Sequence, residues 1–402
     1  MSRKAPAPSK PQAKRAPIPL FEPCLEGNEW RYVKECLDTG WISSAGSYVT
    51  KFEEAMSARI GAAHAVATSN GTSALHAALL VGGVEPGDAV LVSDLTFIAP
   101  ANAIRYAGAH PIFMDAEDHY LQLDVEKTLN FLDKECRWAK GELRDKTSGR
   151  RIRAIMPVDV LGHPADVAPL LEAARRYGLI LIEDASESLG SLYRGRPTGA
   201  GADTACFSFN GNKLVTTGGG GALTTNDDSF AKRAKHLTTQ AKCDPIEYIH
   251  DEVGYNYRMT NVLAAIGVAQ LEQLSGFVAR KRRIAARYAS ALDGVPGLTA
   301  MREAEWASST FWMYTVLIDE KRFGMDARAL LKRLAEQGIT TRPLWQPMHL
   351  SRAHKGSRDA GCGVSARLYR EALSLPSSVG LTDEQQARVV VALLSASVKR
   401  PR

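Results

Sequence analysis

One lysine, Lys213, stands between a short apolar run and four consecutive glycines, in the segment FSFNGNKLVTTGGGG of residues 207–221. Glycines allow the backbone to approach a ligand closely. A lysine whose surroundings favour its neutral form condenses with carbonyl compounds to give Schiff bases. The segment therefore predicts either a carbonyl-binding lysine or a glycine-rich hairpin that carries a solvated lysine at its tip.

A candidate phosphate site precedes it in the chain, in the segment AVATSNGTSALHAALL of residues 65–80. An apolar strand is predicted to end at Ser69-Asn70, and a helix is predicted to begin at Gly71-Thr72. The unpaired amides and the dipole of such a helix start attract phosphate. An Asn or Ser cap without any ligand is the alternative. We interpret His76, within the helix, as structural.

Several polar or aromatic side chains come at or just past the ends of predicted strands. The continuous apolar run at residues 179–182, for example, ends in two carboxylates. Such runs are typical of a parallel sheet buried on both faces, and ligands of these sheets collect at the carboxyl ends of the strands. We therefore expect the following side chains to converge on one site: Ser69, Phe97, His163, Asp184 and Ser208.

A cofactor with an aldehyde, a pyridine ring and a phosphate would give each candidate a role. Lys213 would form an imine, and Asp184 would keep the ring nitrogen protonated so that the ring accepts carbanion electrons. Phe97 would cover the ring face, and the phosphate would bind the helix start and Ser208. A single Asp at a strand end is more often a cap, and a single Phe is more often part of the core. The interpretation therefore depends on all of these residues occurring together on alternating strands.

The elements that must position these residues alternate between strand and helix. Strands are predicted at residues 89–92, 109–115, 152–160 and 179–184, a helix at 167–177, and a polar excursion from the sheet at 136–153. From residue 254 helix formers dominate residues 262–291, followed by a strand at 311–318 and helices at 326–337 and 365–373. We expect a disordered basic tail at residues 1–17, a large α/β domain at 18–254 and a smaller α+β domain at 255–402.

Composition limits the class of protein. The 402 residues carry a net charge of +6, and residues 1–19 hold five basic and no acidic residues, which leaves +1 for the body. A nearly neutral body argues against a nucleic-acid enzyme. No run looks long and apolar enough to span a bilayer, and we see no signal peptide. The six scattered cysteines favour a reducing cytoplasm and predict neither disulfides nor a metal site.

Taken together, these motifs resemble the fold-type I pyridoxal-phosphate enzymes, and more narrowly the nucleotide-sugar aminotransferases of the DegT/DnrJ/StrS type. The resemblance runs from about residue 17 to residue 376. It is carried by SNGTSAL at 69–75, TF at 96–97, EDASESLG at 183–190, FSF at 207–209 with Lys213, and GYNYRM at 254–259. It implies a large domain with a mostly parallel seven-stranded sheet and a smaller C-terminal domain.

The resemblance also implies roles for single residues. Lys213 would carry pyridoxal 5'-phosphate as an imine and Asp184 would face the pyridine nitrogen. Gly71, Thr72 and Ser208 would bind the phosphate, Phe97 would cover the ring, and Asn256 would reach the phosphate from a neighbouring subunit of an obligate homodimer. Glu187 stands where the family usually has a glutamine near the cofactor's phenolic oxygen, and a carboxylate there would shift how that oxygen ionises.

Departures from the family pattern narrow the range of expected substrates. Gly219 replaces a usual glutamate, and the residues before Lys213 and the 136–153 insertion resemble the subgroup that makes 4-amino sugars for bacillosamine and legionaminic-type pathways. This implies amino transfer from L-glutamate to C4 of a nucleotide-linked 4-keto-6-deoxy sugar, such as UDP-2-acetamido-4-keto-2,6-dideoxyhexose, for surface polysaccharides. Candidate substrate contacts are Trp41, Ser43, Arg342, Trp345 and His349, although the tryptophans would equally suit loop packing.

Three other functions are weighed against this one. Sugar dehydratases on the same scaffold carry histidine at the position of Lys213, so that residue disfavours them. A pyridoxal-phosphate-binding regulatory protein without turnover would use the basic tail as an interaction arm. An amino-acid transaminase would need an arginine for a second carboxylate, and Arg258 and Arg342 are available.

Overall fold

The computed structural model describes residues 16–244 and 246–397, so the predicted disordered tail lies almost entirely outside the described residues. The helices, in chain order, are α1 Glu29–Thr39, α2 Ser47–Ile60, α3 Gly71–Val81, α4 Ala99–Tyr106, α5 Val125–Lys134, α6 Val167–Tyr177, α7 Asp228–Thr238, α8 Asn261–Leu292, α9 Glu320–Phe323, α10 Ala327–Glu336, α11 Gly363–Glu371 and α12 Asp383–Ala396.

The strands are β1 His64–Thr68, β2 Ala89–Ser93, β3 His110–Met114, β4 Cys136–Ala139, β5 Glu142–Asp145, β6 Ile152–Met156, β7 Ile180–Asp184, β8 Leu192–Tyr193, β9 Arg196–Pro197, β10 Thr204–Ser208, β11 Gly221–Thr225, β12 Lys242–Asp244, β13 Ile249–His250, β14 Leu298–Ala300, β15 Ala307–Ser308, β16 Tyr314–Ile318, β17 Arg358–Asp359 and β18 Ala372–Leu375.

The main sheet has the order β1-β11-β10-β7-β6-β2-β3-β17. Its strands run parallel except β11, which is antiparallel to both β1 and β10. Every residue of β2 is buried, as expected for a strand covered by helices on both faces. The sheet is mostly parallel as predicted, and the two-residue strand β17 adds an eighth strand beyond the seven expected.

The predicted excursion at residues 136–153 is a hairpin formed by β4 and β5. Arg358 of β17 forms ion pairs with Asp145 of the hairpin and with Glu135 just before it. These contacts tie the hairpin to the edge of the main sheet, on the side away from β1.

The C-terminal part of the chain forms a separate three-stranded antiparallel sheet of order β14-β16-β18. The helix predicted at residues 365–373 ends at Glu371 instead, because Ala372–Leu375 form the buried strand β18, which pairs with β16. Pairing with a strand about 60 residues away overrides the local helical spacing. We propose a domain boundary near residue 254, seven residues before α8 begins.

Helix α8 joins the two parts, since it packs on α1 and α2 and also on β14 and α12. By length and composition alone, α8 is apolar enough to cross a membrane, so the expectation that no segment passes this test is wrong. Several of its apolar residues, among them Ala264, Leu271 and Phe277, are buried in the core. The hydropathy of α8 therefore has an explanation in core packing.

Candidate active site

Lys213 lies in the loop between β10 and β11. The two strands pair antiparallel, and the pairing extends into the loop through a hydrogen bond from Phe209 N to Gly220 O (2.9 Å). The connection is thus a hairpin, as one alternative predicted, but Lys213 is not a solvated tip. Its side chain is only 13% exposed and points into a cavity at the carboxyl edge of the main sheet.

The cavity has a volume of about 260 Å³. Most of the predicted site residues line it, although they lie up to 274 residues apart in the chain: Gly71, Thr72, Phe97, Asp184, Glu187, Ser208, Lys213, Arg342 and Trp345. This convergence follows from the parallel sheet, whose strands β1, β2, β7 and β10 all end at the same edge.

One end of the cavity suits a phosphate. Asn70 caps α3 by accepting a hydrogen bond from Ser73 N (2.8 Å). The backbone amides of Gly71 and Thr72, in the first turn of the helix, have no intrahelical acceptor. A Cβ on Gly71 would lie 2.8 Å from Cβ of Ser208, so only glycine lets the helix start approach β10 this closely. The helix start and the Ser208 hydroxyl together fit an anion.

Asp184 ends β7 at the floor of the cavity and is 3% exposed. It accepts a hydrogen bond from Ser186 N (3.1 Å). Burial raises the pKa of the Asp184 carboxyl, and hydrogen bonds from Ser186 and the charge of Lys213 offset part of that rise. A buried carboxylate of this kind gains most from a cationic partner, such as a protonated pyridine nitrogen.

The amine of Lys213 lies between a carboxylate and an aromatic ring. Glu187 Oε1 is 3.4 Å from Lys213 Nζ, and Glu187 Oε2 accepts a hydrogen bond from Leu161 N (2.8 Å). Burial raises the pKa of Glu187, and the charge of Lys213 opposes that effect. Trp312 presents its ring face 4.2 Å from Nζ. Sequence reasoning did not find Trp312, because nothing in its spacing links it to a lysine 99 residues earlier.

Four of the predicted cofactor and substrate contacts do not reach this cavity. Asn256 is exposed on a loop that bridges to Thr239, and Trp41 (59% exposed) and Ser43 lie near the start of α2. For Asn256 this position is compatible with a role in another subunit's site. His349 pairs with the buried Asp94 instead, because its Nδ1 lies 2.7 Å from the Asp94 carboxylate and its backbone N donates to the same carboxylate (2.8 Å).

His163, expected to join the site, is fully buried elsewhere. Its Nε2 accepts a hydrogen bond from Ala304 N (3.0 Å), and its ring stacks on Tyr120. Burial lowers the pKa of His163 to about 4, so the ring is neutral at physiological pH. His76 is structural as predicted, since it is buried and bonds to the hydroxyl of Tyr257 (3.1 Å).

The arrangement fits pyridoxal phosphate. An anion-binding helix start, a buried carboxylate and a shielded lysine share one cavity, and the glycine at position 71 leaves room that a side chain would fill. The expected absence of a metal remains a prediction: ligand atoms of Asp94, His349 and Cys362 lie within 4.8 Å of one another, although the first two already bond to each other.

Comparison with known proteins agrees with this site. The sequence profile of the DegT/DnrJ/EryC1/StrS aminotransferase family matches residues 23–394. The chain is 40% identical to a GDP-perosamine synthase of Caulobacter vibrioides, over 94% of this chain and 97% of that protein. It is 35% identical to the putative pyridoxal phosphate-dependent aminotransferase EpsN of Bacillus subtilis, over 94% and 95% of the two chains.

A solved structure shows the same fold. The S. venezuelae DesV structure, determined with a ketimine intermediate, superposes with a TM-score of 0.84 at 29% identity, covering 96% of this chain and 99% of DesV. The match extends over both the main sheet and the C-terminal sheet, since almost the whole chain is covered. The chain therefore belongs to the DegT/DnrJ/EryC1/StrS aminotransferase family, and it is an aminotransferase whose cofactor is pyridoxal phosphate.

Proposed function

We propose that this enzyme transfers the amino group of L-glutamate to C4 of a nucleotide-linked 4-keto-6-deoxy sugar, giving a 4-amino sugar for surface polysaccharides. The observation that carries the amino transfer is the shielded Lys213 amine, which shares one cavity with the Asp184 carboxylate and the start of α3. The name of the 40% identical relative, GDP-perosamine synthase, supports a nucleotide sugar as the acceptor.

Two nucleotides remain candidates. The motifs around Lys213 favour the UDP-2-acetamido-4-keto-2,6-dideoxy sugar. Three relatives at 40%, 38% and 35% identity, each named GDP-perosamine synthase, favour a GDP-linked sugar. Arg342 and Trp345, which line the cavity, are the side chains we propose for contact with the sugar nucleotide.

Each residue has a distinct task in the proposed mechanism. When bound, pyridoxal phosphate supplies an aldehyde that carries the amino group and a ring that accepts electrons from the carbon being deprotonated. Lys213 would hold the cofactor through its aldehyde and, when its amine is free, would take the proton from the donor carbon as a general base. Asp184 would hold a proton on the ring nitrogen. Gly71, Thr72 and Ser208 would bind the phosphate.

The direct experiment follows the cofactor's visible absorbance. Adding L-glutamate to the purified holoenzyme should bleach that absorbance and release 2-oxoglutarate, whereas Lys213→Ala should do neither. Bleaching separates a transaminase from a regulatory protein that only binds the cofactor. Mass spectrometry of the products from a panel of UDP- and GDP-linked 4-keto sugars should then show one amine gained. Turnover by Lys213→Ala would refute the assignment of the lysine.

We also propose a homodimer that shares its two sites. The single chain exposes several large apolar side chains near the residues that miss the cavity: Trp41, Ile42, Ile246, Tyr248, Ile249 and Val253. Such a concentration is typical of a surface covered by another subunit. Asn256, Trp41 and Ser43 would then contribute to the partner's cavity.

Mixed dimers test this sharing. Lys213→Ala removes the catalytic amine, and Asn256→Ala removes a phosphate contact. If the sites are shared, a heterodimer of the two variants contains one intact site and one doubly defective site. Co-expression should therefore restore activity that neither variant has alone. Activity no greater than the sum of the two separate variants would exclude the shared site.

The cellular location is a further proposal. All six cysteines are free, and four of them are buried. Buried thiols without disulfides suit a reducing compartment, which supports a cytoplasmic enzyme that meets nucleotide sugars where they are made.

A further inference from the structure

Trp312 comes from the C-terminal part of the chain but contacts the lysine of the main cavity. It is 1% exposed and lies just before β16. The centre of its ring is 4.2 Å from Lys213 Nζ, and the Glu187 carboxylate is 3.4 Å from the same atom. The amine is therefore held between a carboxylate and the electron-rich face of an indole, which are the two surroundings that stabilise an ammonium.

Contacts of the indole ring itself hold Trp312 in place. Trp312 Nε1 donates a hydrogen bond to the carbonyl of Asn212 (2.8 Å), the residue immediately before Lys213. Its ring stacks on that of Trp345, with the ring centroids 6.3 Å apart and an angle of 7° between the ring planes. A Cβ on Gly162 would lie 2.7 Å from Trp312 N, so the neighbouring loop also packs tightly on its backbone. The hydrogen bond therefore ties the ring to the backbone of the lysine loop.

The backbone of Trp312 is held by a second lysine, Lys281 of α8. Lys281 Nζ donates hydrogen bonds to the carbonyl oxygens of Trp312 (2.8 Å) and Ser377. Lys281 is 1% exposed, and within residues 16–244 and 246–397 no carboxylate forms an ion pair with it. Burying an unpaired ammonium is costly. The contacts that Lys281 does make are structural anchors for Trp312 and for the segment after β18.

We propose that the Trp312 ring is the face on which the Lys213 amine rests whenever it is not bonded to the cofactor, and that Lys281 positions that ring. The proposal rests on the catalytic role proposed for Lys213. On taking the proton from the donor carbon, Lys213 would become an ammonium, and Trp312 with Glu187 would stabilise that cation until it gives the proton to the cofactor. Trp312 is thus a positioning residue contributed by the C-terminal sheet, and Lys281 acts through it.

The first test uses the enzyme without its cofactor. An ammonium at the ring face changes the emission of an indole, so the fluorescence of the wild type should differ from that of Lys213→Ala. The difference should disappear when both proteins also carry Trp312→Phe. It should survive Trp138→Phe, a matched control that removes an exposed tryptophan of the β4–β5 hairpin. No difference between wild type and Lys213→Ala, or a difference that survives Trp312→Phe, would overturn the proposal.

The second test uses the holoenzyme and separates this proposal from the proposed function. A cation–π contact of ordinary strength corresponds to a rate effect of about 2- to 30-fold. Trp312→Leu should lower kcat of the glutamate half-reaction by that factor, leave KM within about twofold, and raise the isotope effect seen with 2-deuterated glutamate. Lys281→Met should act in the same direction, and Lys281→Gln, which keeps a donor, should lose less.

Borohydride reduction and peptide mapping decide which proposal has failed. If the cofactor is not fixed to Lys213 in the wild type, the proposed function itself is wrong. If it is fixed there, yet Trp312→Leu leaves kcat and the isotope effect unchanged, only the role of Trp312 is wrong. Loss of kcat together with a larger isotope effect in Trp312→Leu supports the proposal, because a purely structural defect would not make proton transfer more rate-limiting.

Discussion

The buried charge of Lys281 predicts a specific dependence of stability on pH. Burial lowers the pKa of Lys281 from its usual 10.5 to about 7 in the folded protein. Below pH 7 the amine is protonated in both states, so the folded state bears the full cost of the buried charge. Between pH 7 and 10.5 the unfolded chain binds more protons, so the free energy of unfolding contributed by this group rises with pH.

The size of the effect follows from these two pKa values. Full relief of the buried charge is worth roughly 5 kcal/mol, at about 1.4 kcal/mol per pKa unit. About 2 kcal/mol of it should appear between pH 7 and pH 9. Lys281→Gln has no charge to relieve, so it should lack this increment. Its shorter amide keeps a donor but only part of the hydrogen bonding to the carbonyls of Trp312 and Ser377, and that change is the same at every pH.

The assay is urea unfolding of the holoenzyme at pH 7 and pH 9, at one protein concentration and with saturating cofactor in every sample. Wild type and Lys281→Gln titrate all their other groups alike, so the difference between their pH slopes isolates Lys281. Lys281→Met serves as a second neutral variant of similar length. If the free energy of unfolding changed equally between pH 7 and pH 9 in all three proteins, the reasoning would be refuted, and Lys281 would titrate outside this pH range.

Three other predictions concern the cofactor site and the buried acids. Gly71→Ala places a Cβ 2.8 Å from Cβ of Ser208, so spectrophotometric titration should show cofactor affinity falling at least about tenfold, whereas Gly276→Ala, with no atom within 4 Å, should bind normally. Asp184→Asn keeps the shape but not the charge, so kcat should fall by about 10²- to 10⁴-fold while the cofactor is still fixed to Lys213; a loss under tenfold would reject its role. Burial raises the pKa of Glu183 to about 7 beside buried Asp159, so the folded pair keeps a proton that the unfolded chain releases, and stability falls as pH rises from about 4.5 to 7. Asp159→Asn should flatten that fall in thermal unfolding, and an unchanged slope would show that the pair does not share a proton.

The sequence alone determined the elements and most of the residues of the cavity. The strand before Asn70, the helix from Gly71 and the apolar run ending at Asp184 were predicted correctly, because their signals are local: a cap, a glycine and a continuous apolar stretch. Convergence of these residues also followed from the sequence, since a parallel sheet brings the carboxyl ends of its strands to one edge. The placement of Lys213 in the cavity rather than at a solvated tip needed the structure.

Only the tertiary structure decided the contacts that cross the whole chain. Trp312 and Lys281 are linked to Lys213 by packing between elements 31 to 99 residues apart, and no local pattern encodes such a contact. The same is true of His349, which bonds to Asp94 instead of facing the cavity, and of α8, whose membrane-like hydropathy serves the core. Local residue types select strands, caps and chemistry, but which side chains finally meet depends on how the sheet edge, α8 and the C-terminal sheet fit together.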